Sequence, residues 1–183
     1  LRISLKNNLT EIVLDAEIPT FDLKEKDWYC DNYQAIKGDF SQIYIKQFGV
    51  FKYKEYFKED FFKTLGIKLT ELFGEGDFWT IMFNRLKGHA GIPPHSDVSL
   101  QTFAPPTPRI HVPIITNEDV FFVLEDIEHH MELGKIYYFD NHKTHHVSNY
   151  SDEDRVHLVI DWKPNTSKVI KTFPEFHEFS NTH

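Results

Sequence analysis

The chain has one cysteine, Cys30, in 183 residues. That excludes an intrachain disulfide framework and any cysteine-based zinc or iron–sulfur site. Cys30 reads as a packed thiol rather than a nucleophile. Long apolar runs are also missing. No stretch approaches the roughly 20 residues of a membrane-spanning helix, and no signal-peptide pattern opens the chain. The expectation is a cytoplasmic protein with no membrane span. Positive charge is scarce as well: 20 Lys and Arg stand against 28 Asp and Glu, for a net charge of −8. Nucleic acid is thereby disfavoured as a partner, because phosphate backbones need a basic face. Arginine is scarcest of the cations, with only Arg2, Arg85, Arg109 and Arg155.

What is present suits one domain over 1–183, with a sizeable core. Apolar residues make up 40% and aromatics 15%, with 17 phenylalanines that favour a β-rich interior. Residues 1–76 read as supporting strands and helices, 77–163 as the β core, and 164–183 as a tail. Leu9 to Leu14 and Ser41 to Phe48 read as strands. Leu23 to Lys37 reads as a helix ending at Gly38. Tyr53 to Phe73 reads as an amphipathic helix, with Phe57, Phe61, Leu65 and Leu69 four apart.

From Asp77 the period changes to two. Phe78 to Leu86 puts Trp79, Ile81, Phe83 and Arg85 on one face, and Thr80, Met82, Asn84 and Leu86 on the other. Gly88, Gly91, Pro93 and Pro94 form a loop to His95. Val98 to Pro108 forms a second, proline-stiffened loop, a candidate wall or lid over a pocket. Arg109 to Ile115, Val120 to Leu124, Ile127 to Met131, Lys135 to Phe139, Thr144 to Asn149 and Arg155 to Trp162 are short strands between close turns. Such a series predicts an antiparallel barrel or jelly roll, not a βαβ fold.

His95-Ser96-Asp97 and His145 are the candidate metal ligands, and also the candidate catalytic residues. On an extended chain, residues i and i+2 share a face, so His95 and Asp97 converge. Two imidazoles and one carboxylate on one side of Fe(II) leave positions open for a co-substrate and O2. A His-x-Asp pair is weak alone, since 11 His and 14 Asp give about one by chance. Arg155, opening an apolar run of strand character, adds weight: it is the candidate for the far carboxylate of a bound 2-oxo acid. A reducing compartment suits ferrous iron.

The motifs from His95 to Trp162 resemble the aspartyl/asparaginyl β-hydroxylase-like group of Fe(II)/2-oxoglutarate dioxygenases, which includes free-proline hydroxylases. They are Pro94-His95-Ser96-Asp97, Arg109-Ile110-His111-Val112-Pro113, Gly134 to Asn141, His145-His146-Val147-Ser148-Asn149 and Asp154-Arg155-Val156-His157-Leu158. The resemblance implies a mainly β, double-stranded β-helix (jelly-roll, cupin-like) core with flanking N-terminal helices. It implies iron at His95, Asp97 and His145. Arg155 stands ten positions after His145, the family's spacing, which selects His145 over His146. Arg109 and His111 match further residues near the co-substrate carboxylates, with a structural ion pair as the alternative for Arg109. The namesake β-hydroxylases carry glycine where Asp97 stands here, so the likeness leans toward the amino-acid hydroxylases. Asp97 also argues against a halogenating variant.

The implied cofactors are Fe(II), 2-oxoglutarate and O2, with ascorbate as a stimulant, and the implied reaction is hydroxylation of an aliphatic C–H. The substrate would be a small molecule or a peptide, met by Val98–Pro108 and by the Phe78–Leu86 strand. Arg85 is the cation there that could pair with a substrate carboxylate. The alternatives are a non-catalytic cupin-like module binding metal or a small acid, and a 2-oxoglutarate-independent metal dioxygenase. Neither needs Arg155. His89, His142, His146 and His157 read as scaffold. His129 and His130, adjacent on a strand, point to opposite faces and do not form a metal pair. Oligomeric state is not legible.

Overall fold

A computed structural model describes residues 5–6, 9–29, 39–97 and 108–165. Among these, two antiparallel sheets face each other. The strands are β1 (Leu5–Lys6), β2 (Leu9–Ile12), β3 (Phe40–Gln47), β4 (Val50–Phe51), β5 (Gly76–Leu86), β6 (Gly91–His95), β7 (Arg109–Ile115), β8 (Val120–Leu124), β9 (Ile127–His129), β10 (Ile136–Phe139), β11 (His145–Asn149) and β12 (Arg155–Pro164). The large sheet runs β1-β2-β10-β7-β12-β5-β3-β4 and the small one β6-β11-β8-β9. This is a jelly-roll arrangement. Strands β1 to β4 complete the large sheet, so the N-terminal part is integral to it.

Strand alternation decides what each face carries. In β12, Val156, Leu158, Ile160 and Trp162 join the core under the α-helix α1 (Glu59–Phe73). Arg155, His157, Val159 and Asp161 lie on the opposite, inner face. Register extends that face: Asp161 pairs with Arg109 and Val159 with His111 on β7, while His157 pairs with Asn84 on β5. A second cluster, with Leu86, Phe122, Leu124, Tyr137, Phe139 and Val147, fills the interior between the sheets.

Helix α1 buries Phe61, Phe62, Leu65, Leu69, Leu72 and Phe73 against the outer face of the large sheet. It ends at Gly74, whose φ of 87° suits glycine. Gly66 lies inside the helix facing Phe78, whose ring an added Cβ would meet at 3.4 Å. The helix is shorter than the periodicity of Tyr53 to Phe73 predicts. Lys54–Tyr56 forms a separate 3₁₀ turn. There the Tyr56 hydroxyl donates to Asp27 at 2.5 Å and accepts from the Lys24 backbone N–H at 3.2 Å, a long-range anchor that overrides local propensity.

Other expectations need correction. Within the expected Leu23–Lys37 helix, the described part holds only a 3₁₀ turn at Glu25–Asp27, and Tyr29 bridges to Gln42. The rest of that segment, nearly all of the Val98–Pro108 loop, and the tail beyond 165 lie outside the described residues. The stretch before His95 is not a loop: Gly91–His95 is β6, paired with β11. Among the described residues no helix is long and apolar enough to cross a membrane.

Candidate metal centre

The register of β6 on β11 sets His95 directly opposite His145. Further along, Val147 pairs with Ile92, so three steps on β6 match two on β11. Pro93 and Pro94 fall in this bulge. Proline has no N–H to give a ladder, and a bulge is where a strand tolerates it. The two imidazoles come together with ring centroids 4.3 Å apart and planes at 54°.

Both rings are fixed through Nδ1. His95 Nδ1–H donates to the Pro93 carbonyl at 2.8 Å, and His145 Nδ1–H to the Lys143 carbonyl at 2.9 Å. With the proton on Nδ1, Nε2 keeps its lone pair and is the donor atom offered to a metal. Burial also lowers the pKa of His145, which favours the neutral ring a metal needs. His146 is only half-buried on the other face of the strand.

Asp97 is buried at 3% exposure. It does not reach the site by strand alternation, as the i, i+2 spacing suggests. It lies past the end of β6, where its N–H donates to the Asn141 carbonyl at 3.0 Å. One carboxylate oxygen, Oδ2, accepts from Arg109 Nη1 at 2.5 Å and from Asn141 Nδ2 at 3.1 Å. The other, Oδ1, is 3.7 Å from His95 Nε2. One donor atom from each of His95, Asp97 and His145 lies within 4.8 Å of the others. That set fits a divalent ion of the non-haem iron type.

Arg109 donates from Nε to Asp161 Oδ1 at 2.8 Å and from Nη2 to Asp161 Oδ2 at 3.3 Å. Burial alone would lower its pKa, but the carboxylates of Asp161 and Asp97 outweigh that and hold it above the ordinary arginine value. Three of its five N–H groups are thus directed at protein carboxylates.

Arg155 is the opposite case. It is 2% exposed, and no carboxylate pairs with it among the described residues. Burial pushes its pKa down to about 9. Its Nη2 donates to His157 Nδ1 at 2.7 Å, and its Nε has no partner. His157 Nδ1 lies 3.5 Å from His111 Nδ1, and the Nε2 atoms of both rings are buried without partners. Burial first, then the nearby Arg155 charge, holds both imidazoles well below their usual pKa. This group connects to the triad through aromatic rings: Phe139 is 5.2 Å from His111 and 5.0 Å from His145, centroid to centroid.

Arg85 is not part of this centre. It lies on the other face of β5, where it donates to Ser41 and forks onto Glu25, with the Trp28 ring 4.4 Å from its guanidinium. Asn141 and Asp161 also belong to this centre, and neither is among the residues expected there from sequence. Asp161 left a signal: it is the lone acid in an apolar strand, six residues from Arg155 on the same face. Asn141 ends the motif Gly134 to Asn141, where nothing in the sequence marks it as a partner of Asp97. Grooves of about 500 and 450 Å³ flank α1 on the outside, away from the triad.

A family model described as aspartyl/asparaginyl beta-hydroxylase matches residues 23–165. No curated protein sequence matches. Among solved structures, the chain is similar to an oxidoreductase of the 2OG-Fe(II) oxygenase family from Burkholderia pseudomallei. The TM-score is 0.54 at 14% identity, over 69% of each chain. It is also similar to a Pseudomonas putida prolyl-4-hydroxylase, with a TM-score of 0.52 at 14% identity, over 76% of this chain and 78% of that one. At such identities the likeness is one of fold.

Proposed function

The chain belongs to the aspartyl/asparaginyl β-hydroxylase family, and from that premise we propose that it is an Fe(II)- and 2-oxoglutarate-dependent dioxygenase acting on an aliphatic C–H of an amino acid or peptidyl side chain. His95, Asp97 and His145 would hold the iron through Nε2, Oδ1 and Nε2. When bound, iron and 2-oxoglutarate supply the oxidative chemistry: O2 and the oxo acid give succinate and CO2, and one oxygen atom enters the substrate as a hydroxyl group.

The observation that carries the co-substrate assignment is the state of Arg155. A guanidinium buried without an anion is costly, and this one keeps an unpartnered Nε beside two unpartnered imidazole nitrogens. A carboxylate there would accept charge-assisted hydrogen bonds from Arg155. The Nε2–H of neutral His157, whose Nδ1 already accepts from Arg155, could add another. His111 would form the wall on the iron side. The rings of Phe122 and Phe139, between this group and His145, would exclude water along the path. A metal-binding module without turnover has no use for a buried guanidinium left without an anion, nor has a dioxygenase that needs no oxo acid.

The test is succinate formation with Fe(II), 2-oxoglutarate and ascorbate, with and without added substrates. Turnover that disappears in Arg155→Ala supports the reading. No succinate under any condition, even uncoupled from substrate, rejects it. A mass-spectrometric screen of amino acids and peptides for a product about 16 Da heavier, the mass of the single oxygen atom incorporated from O2, would identify the substrate.

A further inference from the structure

We propose that Asp161 is a positioning residue for the metal centre, acting through Arg109 to fix which oxygen of Asp97 faces the ion. The inference rests on the iron-site reading above. Asp161 and Arg109 are direct cross-strand partners on β12 and β7. Both Asp161 oxygens are engaged by Arg109, through Nε and Nη2. This planar fork leaves Nη1 to reach Asp97 Oδ2, and Asn141 supplies the second donor to the same oxygen. Oδ2 is thereby committed, and Oδ1 is the oxygen left beside His95. Asp97 is held as a one-oxygen ligand.

Two consequences follow from removing the Asp161 charge. Arg109 would be free to turn and take both oxygens of Asp97 in a fork, the geometry that guanidinium and carboxylate prefer. The row Asp161–Arg109–Asp97 would also change from a net charge of −1 to zero in front of a divalent cation. Both changes weaken metal binding. The fold itself does not require the row: buried ion pairs contribute little compared with well-packed apolar residues, and Val159, two residues earlier on the same face, is apolar.

The experiment is Co(II) titration of the metal-free protein, followed by calorimetry and by the visible absorption of the Co(II) form, with circular dichroism as the check on folding. Asp161→Asn should bind Co(II) roughly 10- to 100-fold more weakly, as expected when a group supporting a metal ligand is lost, and its ligand-field bands should shift. Asp161→Asn with wild-type affinity and bands overturns the inference and leaves the iron reading standing. Wild-type protein that fails to bind Co(II) overturns that reading and the inference with it. If Asp161→Asn does not fold, the smaller Asp161→Ser takes its place, leaving Arg109 paired with Asp97 so that no buried charge stands alone. That variant should fold and bind weakly; wild-type affinity in it overturns the inference.

Discussion

His95 and His145 stand directly opposite each other on β6 and β11, and each gives its Nδ1 proton to a backbone carbonyl two residues earlier in its own chain segment. Ring orientation and tautomer are therefore set by the backbone before any metal arrives. His145→Ala should weaken Co(II) or Fe(II) binding by more than about 100-fold, beyond the loss expected for a supporting residue. His146→Ala should leave it unchanged. Calorimetric titration of the two variants separates them.

Arg155→Met removes a buried charge that has no anion among the described residues. The variant without co-substrate should unfold at the same temperature as wild type or a few degrees higher, since the desolvation cost disappears. The wild type should gain about 2.7 kcal/mol from 2-oxoglutarate at a hundred times its Kd, and the variant nothing. Thermal denaturation with and without the oxo acid measures both effects.

His111 and His157 are buried with pKa values well below 6.5, owing first to burial and then to Arg155. The unfolded chain binds protons at these rings first as pH falls. Their contribution is therefore intact above about pH 6.5, the ordinary histidine value, and is lost as pH falls toward the folded values. Stability should drop by up to about 1.4 kcal/mol per pH unit for each ring in that window. Urea denaturation between pH 7.5 and 5 should show the slope, and His157→Gln should reduce it.

Leu65 and Leu69 are fully buried between α1 and the outer face of the large sheet. Either leucine changed to alanine should cost about 2–5 kcal/mol. Urea unfolding followed by far-ultraviolet circular dichroism and by tryptophan fluorescence should shift together, because Trp162 packs in the same cluster.

The parts legible in the sequence are those where one periodicity governs one element. β7, β8 and β12 alternate cleanly, and their bounds lie close to the predicted ones. The face carrying Thr80, Met82, Asn84 and Leu86 separates from that of Arg85 as alternation predicts. What stayed hidden depends on contacts distant in sequence. Gly91, Pro93 and Pro94 look like a loop, yet β11 supplies a partner and a bulge absorbs the prolines. Arg85 looked available to a substrate, but Glu25, 60 residues away, occupies it. The link from Asp161 to Asp97 needs the β7–β12 register, which no local pattern specifies.

The imidazoles of His95 and His145 belong to the small sheet, whereas Arg155, His111 and Arg109 belong to the large one. An oxo acid gripped at one end by the ion and at the other by Arg155 would span the two layers like a stay between walls. On the proposed function, the spacing of the layers would act as a gauge, accepting one chain length of dicarboxylate and leaving shorter or longer ones tethered at a single end.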